Sequence, residues 1–194
     1  LYYVMKEIGF PEAMEVLLHA TPDQVQTALD FDTWDRDQVS APRLETWLQA
    51  LVSAPFETVG RWFKGLDIEL VALILRSRAV IYDLSAGEPP DDPAGEFLTT
   101  PDNLFVLDVF GSPDVARATA QIIDAIYRYD RNWARRILVG AIGELDAELE
   151  ETAYRWRQGR MADLGFADYY EALEVYRELD PAKIRIGERP VSYT

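Results

Sequence analysis

Residues Pro42 to Leu66 read PRLETWLQALVSAPFETVGRWFKGL and carry the cleanest helical pattern of the first half of the chain. Its apolar side chains recur at intervals of three and four residues, which is the spacing of one face of an α-helix. They are Leu44, Trp47, Leu48, Leu51, Val52, Phe56, Val59, Phe63 and Leu66. Pro55 interrupts the series at the start of a second helix, because the fixed φ of proline suits the first helical position. The stretch therefore predicts two short amphipathic helices.

The same signal recurs along the first 84 residues. A proline or an acid marks each predicted helix start, at Pro11, Pro22, Pro42, Pro55 and Asp67. No short helix can bury its apolar stripe alone, so these helices have to pack side by side. We predict a superhelical stack of short helices over residues 1–84. Asp30–Val39 is interpreted as a polar link within it, anchored by Phe31 and Trp34.

The organisation changes at residue 85. Residues 85–111 predict an acidic, proline-rich loop followed by either a short β-hairpin, with arms Glu96–Thr99 and Leu104–Phe110, or a loop that leads into a helix. Residues 112–180 predict a helical subdomain packed on the first unit, and residues 181–194 predict an extended tail. The predicted fold class is all-α, or nearly all-α if the hairpin forms, with a superhelical stack of short helices followed by longer packed helices.

In the second half, helical spacing predicts which side chains face inward. These are Val115, Thr119, Ile122, Ile126 and Tyr129 in one helix, Trp133, Ile137 and Leu138 in the next, and Leu145, Leu149, Ala153 and Trp156 in a third. A last short helix is predicted from Asp168 to Leu179.

Charge and composition restrict the classes of function. The 194 residues carry 34 acidic and 19 basic side chains, a formal net charge of -15. Such a charge repels phosphate backbones and favours basic surfaces, so we expect another protein as partner and no nucleic acid. The apolar run Leu70–Leu75 is far shorter than the roughly 20 residues of a membrane helix, so we expect no membrane insertion. The chain contains no cysteine, which agrees with a cytoplasmic location. It begins at Leu1 inside an amphipathic pattern, and we expect it to be part of a longer protein.

No residue pattern points to catalysis, so no catalytic residue, metal ligand or cofactor is assigned. His19 is the only histidine and follows a predicted helix, where its ring suits the last carbonyl groups. Five acids crowd a predicted helix start, namely Glu144, Asp146, Glu148, Glu150 and Glu151. Successive acids on one helix point in different directions, whereas a divalent cation needs converging oxygen ligands. We therefore interpret them as a solvated face rather than a cation site.

The segment Glu150–Asp180 is unusually rich in aromatic and basic residues and reads EETAYRWRQGRMADLGFADYYEALEVYRELD. We take from it six candidate residues for binding a ligand or partner: Tyr154, Arg155, Arg157, Arg160, Tyr169 and Tyr170. Arginines beside aromatic walls bind carboxylates or phosphates by paired hydrogen bonds. The alternative is a structural network, in which the tyrosines pack and the arginines lie over the core.

Two segments carry a resemblance to known families. EAMEVLLHATPDQVQTALDFDTW (Glu12–Trp34) and AYRWRQGRMADLGFADYYEALEVY (Ala153–Tyr176) resemble an uncharacterised bacterial family that is known only as a domain of unknown function. The first half also resembles the superhelical cytosolic domain of MgtE-type magnesium transporters, through LLHATPDQVQTALD and the joint Leu66–Asp67. The first resemblance implies no activity, and the second implies a fold rather than magnesium regulation.

Two hypotheses of function follow. The first is a non-catalytic interaction or scaffold module of a larger bacterial cytoplasmic protein, which the solenoid-like pattern favours. The second is a sensor or enzyme domain that binds a small anionic ligand through the arginines and tyrosines, which would need a pocket of suitable size.

Overall fold

The computed structural model describes residues 1–87, 89, 91, 95–143, 146–167 and 169–175. The described chain is about 64% helical, with ten helices and two small sheets. The expectation of a mostly helical protein is confirmed, whereas a purely all-α class is wrong. Predictions that fall on residues 88, 90 and 92–94 of the acidic loop, on Glu144 and Leu145, on Asp168 and residues 176–180 of the predicted helical subdomain, and on the tail 181–194 lie outside the described residues.

The elements follow one another along the chain as short helices, a sheet and longer helices. The helices are α1 (Tyr2–Ile8), α2 (Met14–Leu18), α3 (Pro22–Asp32), α4 (Ala41–Val52), α5 (Phe56–Gly65), α6 (Ile68–Arg76), α7 (Pro113–Tyr129), α8 (Arg131–Gly143), α9 (Asp146–Asp163) and α10 (Tyr169–Val175). The strands are β1 (Trp34–Asp35), β2 (Gln38–Val39), β3 (Ala79–Asp83), β4 (Glu96–Thr99) and β5 (Phe105–Val109).

Most of the predicted helix starts coincide with observed ones. Pro22 opens α3, where Thr21 forms a capping box with Gln24. Pro55 and Asp67 are the N-cap residues of α5 and α6 rather than their first helical residues. Pro11 is different, because it lies in a turn and α2 begins only at Met14. The signal therefore located four helices to within about one residue.

The β-structure was only partly predicted. β4 and β5 form the expected hairpin, with Leu98 opposite Leu107. β3 was missed, because residues up to Leu84 were all assigned to short helices. It pairs antiparallel with β5, with Ile81 opposite Leu107, so that the sheet order is β3-β5-β4. β5 thereby gains a neighbour on both sides, which relieves the marginal stability of an isolated hairpin. The link Asp30–Val39 also holds a small hairpin, β1–β2.

One hydrophobic core joins the first unit, the sheet and the later helices. Its largest fully buried side chains include Trp47, Trp62 and Phe63. α5 packs on α3 and α7, while α6 packs on α8 and α9, so helices from both halves of the chain share this core. The predicted division into residues 1–84, 85–111 and 112–180 stays a prediction.

Two predicted inward faces need correction at their ends. Tyr129 is 49% exposed at the last residue of α7, and Trp156 is 56% exposed on α9. Thr119, Ile122 and Ile126 of the same predicted α7 face are buried as expected. On α9, the buried apolar face consists of Leu149 and Ala153. The following turns of that helix contact α3 through the polar side chains of Arg157 and Arg160 instead.

Candidate recognition groove

α9 carries four of the six predicted candidate residues and contacts the rest of the molecule through both apolar and charged side chains. Only Leu149 and Ala153 are buried apolar side chains on it. Near the start of the helix, Glu150 Oε1 accepts a hydrogen bond of 3.3 Å from the Val39 N–H of β2. Further along, Arg157 and Arg160 both reach α3. Polar contacts to β2 and α3 therefore add to the apolar packing of α9.

Arg160 forms a bidentate ion pair with Asp30 of α3. Its Nε lies 2.7 Å from Asp30 Oδ2, and its Nη2 lies 2.9 Å from Asp30 Oδ1. The Asp30 side chain is 1% exposed and the Arg160 side chain is 27% exposed. This fork geometry is the strongest arrangement that an arginine and a carboxylate adopt, and it fixes α9 in register with α3.

The same arginine ties in a third helix. Arg160 Nη1 also bonds Asp67, the N-cap residue of α6, and the Asp67 N–H donates to Gln26 Oε1 at 2.9 Å. Gln26 in turn donates to Asp30 Oδ1 at 3.1 Å. α3, α6 and α9 thus meet at one closed network of hydrogen bonds.

Burial and charge act against each other in this network. Burial raises the pKa of Asp30, and Arg160, Gln26 and Arg157 reverse only part of that rise. Burial alone would lower the pKa of Arg160, but Asp30 and Asp67 together hold it above its usual value. Burial therefore dominates at Asp30, whereas two carboxylates together outweigh burial at Arg160.

Arg157 lies at the boundary between this network and an open groove. Its Nε donates to the Asp30 carbonyl oxygen at 2.8 Å, and its Cζ lies 5.5 Å from the centre of the Trp34 ring. Burial is the largest influence on the Arg157 pKa and lowers it, although Asp30 acts in the opposite direction. Among the described residues, no side chain accepts a hydrogen bond from its Nη1 or Nη2. Arg157 therefore retains donors for a bound molecule.

A groove with a volume of about 840 Å³ runs along α9 beside Arg157. The turn of the β1–β2 hairpin, one side of α9 and the first part of α10 line it. The lining residues are Asp35, Arg36, Tyr154, Arg157, Gln158, Gly159, Met161, Ala162, Phe166, Ala167, Glu171 and Ala172. Polar groups therefore stand beside an apolar wall, and the Tyr154 hydroxyl accepts a hydrogen bond of 3.0 Å from Gln158.

A row of four aromatic rings continues from the groove to α1. Phe166 meets Phe31 edge-on at 4.9 Å between ring centres, Phe31 stacks on Tyr2 at 5.5 Å, and Tyr2 meets Tyr3 at 5.1 Å. Tyr2, Tyr3 and Phe31 line a second depression of about 250 Å³, together with Asp23. The Tyr3 side is open to solvent, with 71% of the residue exposed. We call these four residues the aromatic row.

The structure separates the six predicted site residues. Tyr154 and Arg157 line the groove, whereas Arg160 is engaged by Asp30 and Asp67. Arg155 pairs with Glu151 at 2.9 Å on an exposed face, with both side chains more than 70% exposed. Tyr169 and Tyr170 open α10, but their side chains lie outside the described residues.

Sequence reasoning missed the residues that complete the site. Asp30, Gln26 and Asp67 lie more than 90 residues away from Arg160 along the chain, and no local pattern connects them. Phe31 and Trp34 were predicted only as anchors of a link. Trp34 is buried as expected, but Phe31 belongs to the aromatic row. The signal that could have indicated this role was the presence of two aromatic residues within the acidic segment DFDTW (Asp30–Trp34).

The described residues contain no group of three or more acidic or histidine side chains arranged to hold a metal ion. None of their helices combines the length and apolar content needed to cross a bilayer. His19 Nδ1 lies 2.8 Å from the Glu15 carbonyl oxygen, the helix-end contact that its sequence position predicts.

Comparisons with known proteins give a family and nothing closer. No curated protein and no solved structure matches the chain. The resemblance to MgtE-type transporters is therefore not supported. A family model described as a family of unknown function, DUF6178, matches residues 1–193. This match agrees with the resemblance to a domain of unknown function, and the chain belongs to the DUF6178 family.

Proposed function

We propose that this domain is a non-catalytic interaction module of a larger cytoplasmic protein, and that a segment of a partner protein binds along the aromatic row and the groove. The observation that supports this most directly is that the row joins two depressions into one elongated surface. Exposed aromatic side chains provide much of the binding energy at protein interfaces. A superhelical course of the helices up to Leu84 belongs to the same proposal.

The charge of the whole chain favours a partner segment with basic and apolar side chains. The chain carries a net charge of -15 and Asp23 lines the second depression, whereas the acidic and basic residues that line the groove are equal in number. Basic side chains would be attracted by this field and would also stack on the rings of the aromatic row.

A display library of random peptides tests the proposal. We expect enriched peptides to combine lysine or arginine with aromatic or aliphatic residues. Phe166→Asp and Tyr3→Asp should each weaken binding at least about tenfold, because both place a charge in the aromatic row. The matched control is Trp156→Asp, since Trp156 is 56% exposed but lies outside the row. Enrichment of acidic peptides, or an equal loss in the control, would contradict the proposal.

The second candidate function is the binding of a small anionic ligand by a sensor or enzyme domain. Arg157 favours it, because its Nη atoms have no described acceptor and the Tyr154 hydroxyl lies in the same groove. The groove volume of about 840 Å³ is within the range of small-molecule sites. Calorimetric titration with phosphate and with succinate tests this function. Binding that Arg157→Gln abolishes and Arg155→Gln preserves would favour it over peptide recognition.

A further inference from the structure

A second surface, separate from the groove, lies at the edge of the three-stranded sheet. β4 has β5 on one side and no strand on the other among the described residues. Glu96, Phe97 and Thr99 are exposed. Proteins commonly protect edge strands with proline or lysine, and the sequence of β4, EFLT, contains neither.

The hydrogen-bond pattern identifies the backbone groups that face this open edge. The Thr100 N–H donates a hydrogen bond of 3.0 Å to the Phe105 carbonyl oxygen. Thr100 and Phe105 are therefore a hydrogen-bonded pair of the ladder between β4 and β5. Hydrogen-bonded and non-bonded pairs alternate along an antiparallel ladder, which makes Leu98 and Glu96 the next bonded residues of β4. The N–H and C=O groups of Phe97 and Thr99 therefore point away from β5.

A groove of about 340 Å³ lies beside this edge, between the sheet and α7. Leu98 of β4 and the small side chains of Ala116 and Ala120 form its apolar part, while Glu96 and Arg117 stand at its margins. Arg117 is already paired with Asp114 at 2.8 Å. Glu96 and Leu98 are two residues apart, so both point to the same side of the strand.

We infer that an extended segment of a basic partner protein adds to β4 as a fourth strand. Its backbone would pair with Phe97 and Thr99, and alternate side chains would enter the groove, one apolar side chain against Leu98 and one lysine or arginine beside Glu96. The negative charge acts against a second copy of this chain, because two molecules of charge -15 repel.

The test uses two blocked pentapeptides, Thr-Val-Thr-Lys-Thr and Thr-Val-Thr-Glu-Thr, titrated into the isotope-labelled protein; running antiparallel to β4, they place valine against Leu98 and the charged residue against Glu96. For the lysine peptide we expect shifts of the Phe97 and Thr99 amide signals and slower exchange of both amides with solvent. The glutamate peptide should bind at least about tenfold more weakly, because it places a like charge beside Glu96.

Two variants test whether backbone pairing carries the binding. Phe97→Pro removes an edge N–H that the β4–β5 ladder does not use, and it should weaken binding at least about tenfold, whereas Phe97→Ala should retain it. Ala120→Arg leaves the backbone of β4 unchanged but fills the groove with a positive charge, and it should weaken binding of the lysine peptide even if Phe97→Pro does not fold. Phe166→Asp should have no effect, which separates this surface from the aromatic row.

The inference would be overturned if millimolar lysine peptide left the two amide signals unchanged, or if the folded Phe97→Pro and Ala120→Arg variants bound it like the original protein. Concentration-dependent dimerisation through β4 would also overturn it, because the occupant would then be a second copy.

Discussion

Buried charged side chains in this protein are stabilised by partners distant in sequence. Asp30 forms an ion pair with Arg160, and Arg78, which directly precedes β3, forms one with Glu45 of α4. Asp102, whose side chain is 4% exposed, is held by Arg135 of α8 at 2.7 Å. A buried charge without such a partner costs several kcal/mol, so each pair constrains two segments to one relative position.

Asp102 provides a test of stability against pH. Burial alone would raise its pKa, but hydrogen bonds from Arg135, Thr100 and the Leu104 N–H bring the pKa below its usual value. The stability that this lowered pKa confers is present above the ordinary pKa and is lost as the pH falls through the lower, folded-state pKa. We therefore expect Asp102→Asn to lower the free energy of unfolding by about 1 to 3 kcal/mol at pH 7. The loss should shrink in acid, as followed by urea unfolding between pH 7 and pH values below the ordinary Asp pKa.

The control for Asp102 is Asp124→Asn. Asp124 pairs with Arg128 at 2.7 Å on the surface of α7, with both side chains about half exposed. A surface pair of this kind contributes at most about 1 kcal/mol. If Asp102→Asn cost no more than this control at pH 7, or if its cost stayed the same in acid, the ionised Asp102 carboxylate would not be the stabilising group.

At the scale of elements, close packing of α5 on α7 depends on a glycine. A Cβ atom at Gly60 would lie 2.6 Å from Tyr129 Cβ and 2.9 Å from the Ala125 carbonyl oxygen. Both distances are shorter than van der Waals contact, so we expect Gly60→Ala to lower stability by about 1 to 3 kcal/mol despite the higher helix propensity of alanine. At Gly140 of α8 nothing lies within 4 Å of such an atom. Gly140→Ala should raise the free energy of unfolding by about 0.5 to 1 kcal/mol. Denaturant unfolding of both variants measures the two changes. Changes of the same sign would contradict the packing argument.

The N-caps of α3 and α4 give a second matched pair. The Thr21 hydroxyl oxygen accepts a hydrogen bond of 3.2 Å from the Gln24 N–H, and the Thr21 N–H donates one of 3.0 Å to Gln24 Oε1. Ser40 occupies the N-cap position of α4 without a capping bond from its side chain. Thermal unfolding should show that Thr21→Ala costs about 1 kcal/mol, whereas Ser40→Ala costs only a few tenths. Equal losses would indicate that the capping box contributes little.

The sequence predicted those elements whose signal is local. The proline and N-cap pattern located α3 to α6 because a helix start depends on a few adjacent residues. β3 was missed because its five residues become a strand only by pairing with β5, more than 20 residues later. The candidate site was predicted only in part, because some of its residues are neighbours in sequence and others meet only in the folded chain. α9 displays Tyr154 and Arg157 together, whereas the contribution of Phe31 and Asp30 depends on the packing of α9 on α3.

At the scale of the whole molecule, the ion pair between α3 and α9 positions the proposed recognition surface. α9 buries few apolar side chains, and the hydrogen bonds of Arg160 and Arg157 to α3 add to their packing. Phe166 and the groove residues of α9 lie near this anchor in sequence, and they face Phe31 of α3 and the β1–β2 turn. Arg160 is thus a positioning residue for the groove rather than a contact for the partner.

This role predicts a specific effect of Arg160→Met. The variant leaves the buried Asp30 carboxylate without its cation, which should lower the free energy of unfolding by about 3 kcal/mol at pH 7. Burial would then raise the Asp30 pKa further, so the deficit should diminish as the pH falls and the carboxylate takes up a proton. Hydrogen exchange should accelerate in α9 more than in α5 and α7, because α9 loses its anchor. The matched control, Arg155→Met, removes only an exposed pair with Glu151 and should cost about 0.5 kcal/mol or less. Equal effects of the two variants, or unchanged exchange in α9, would show that apolar packing alone holds this helix in place.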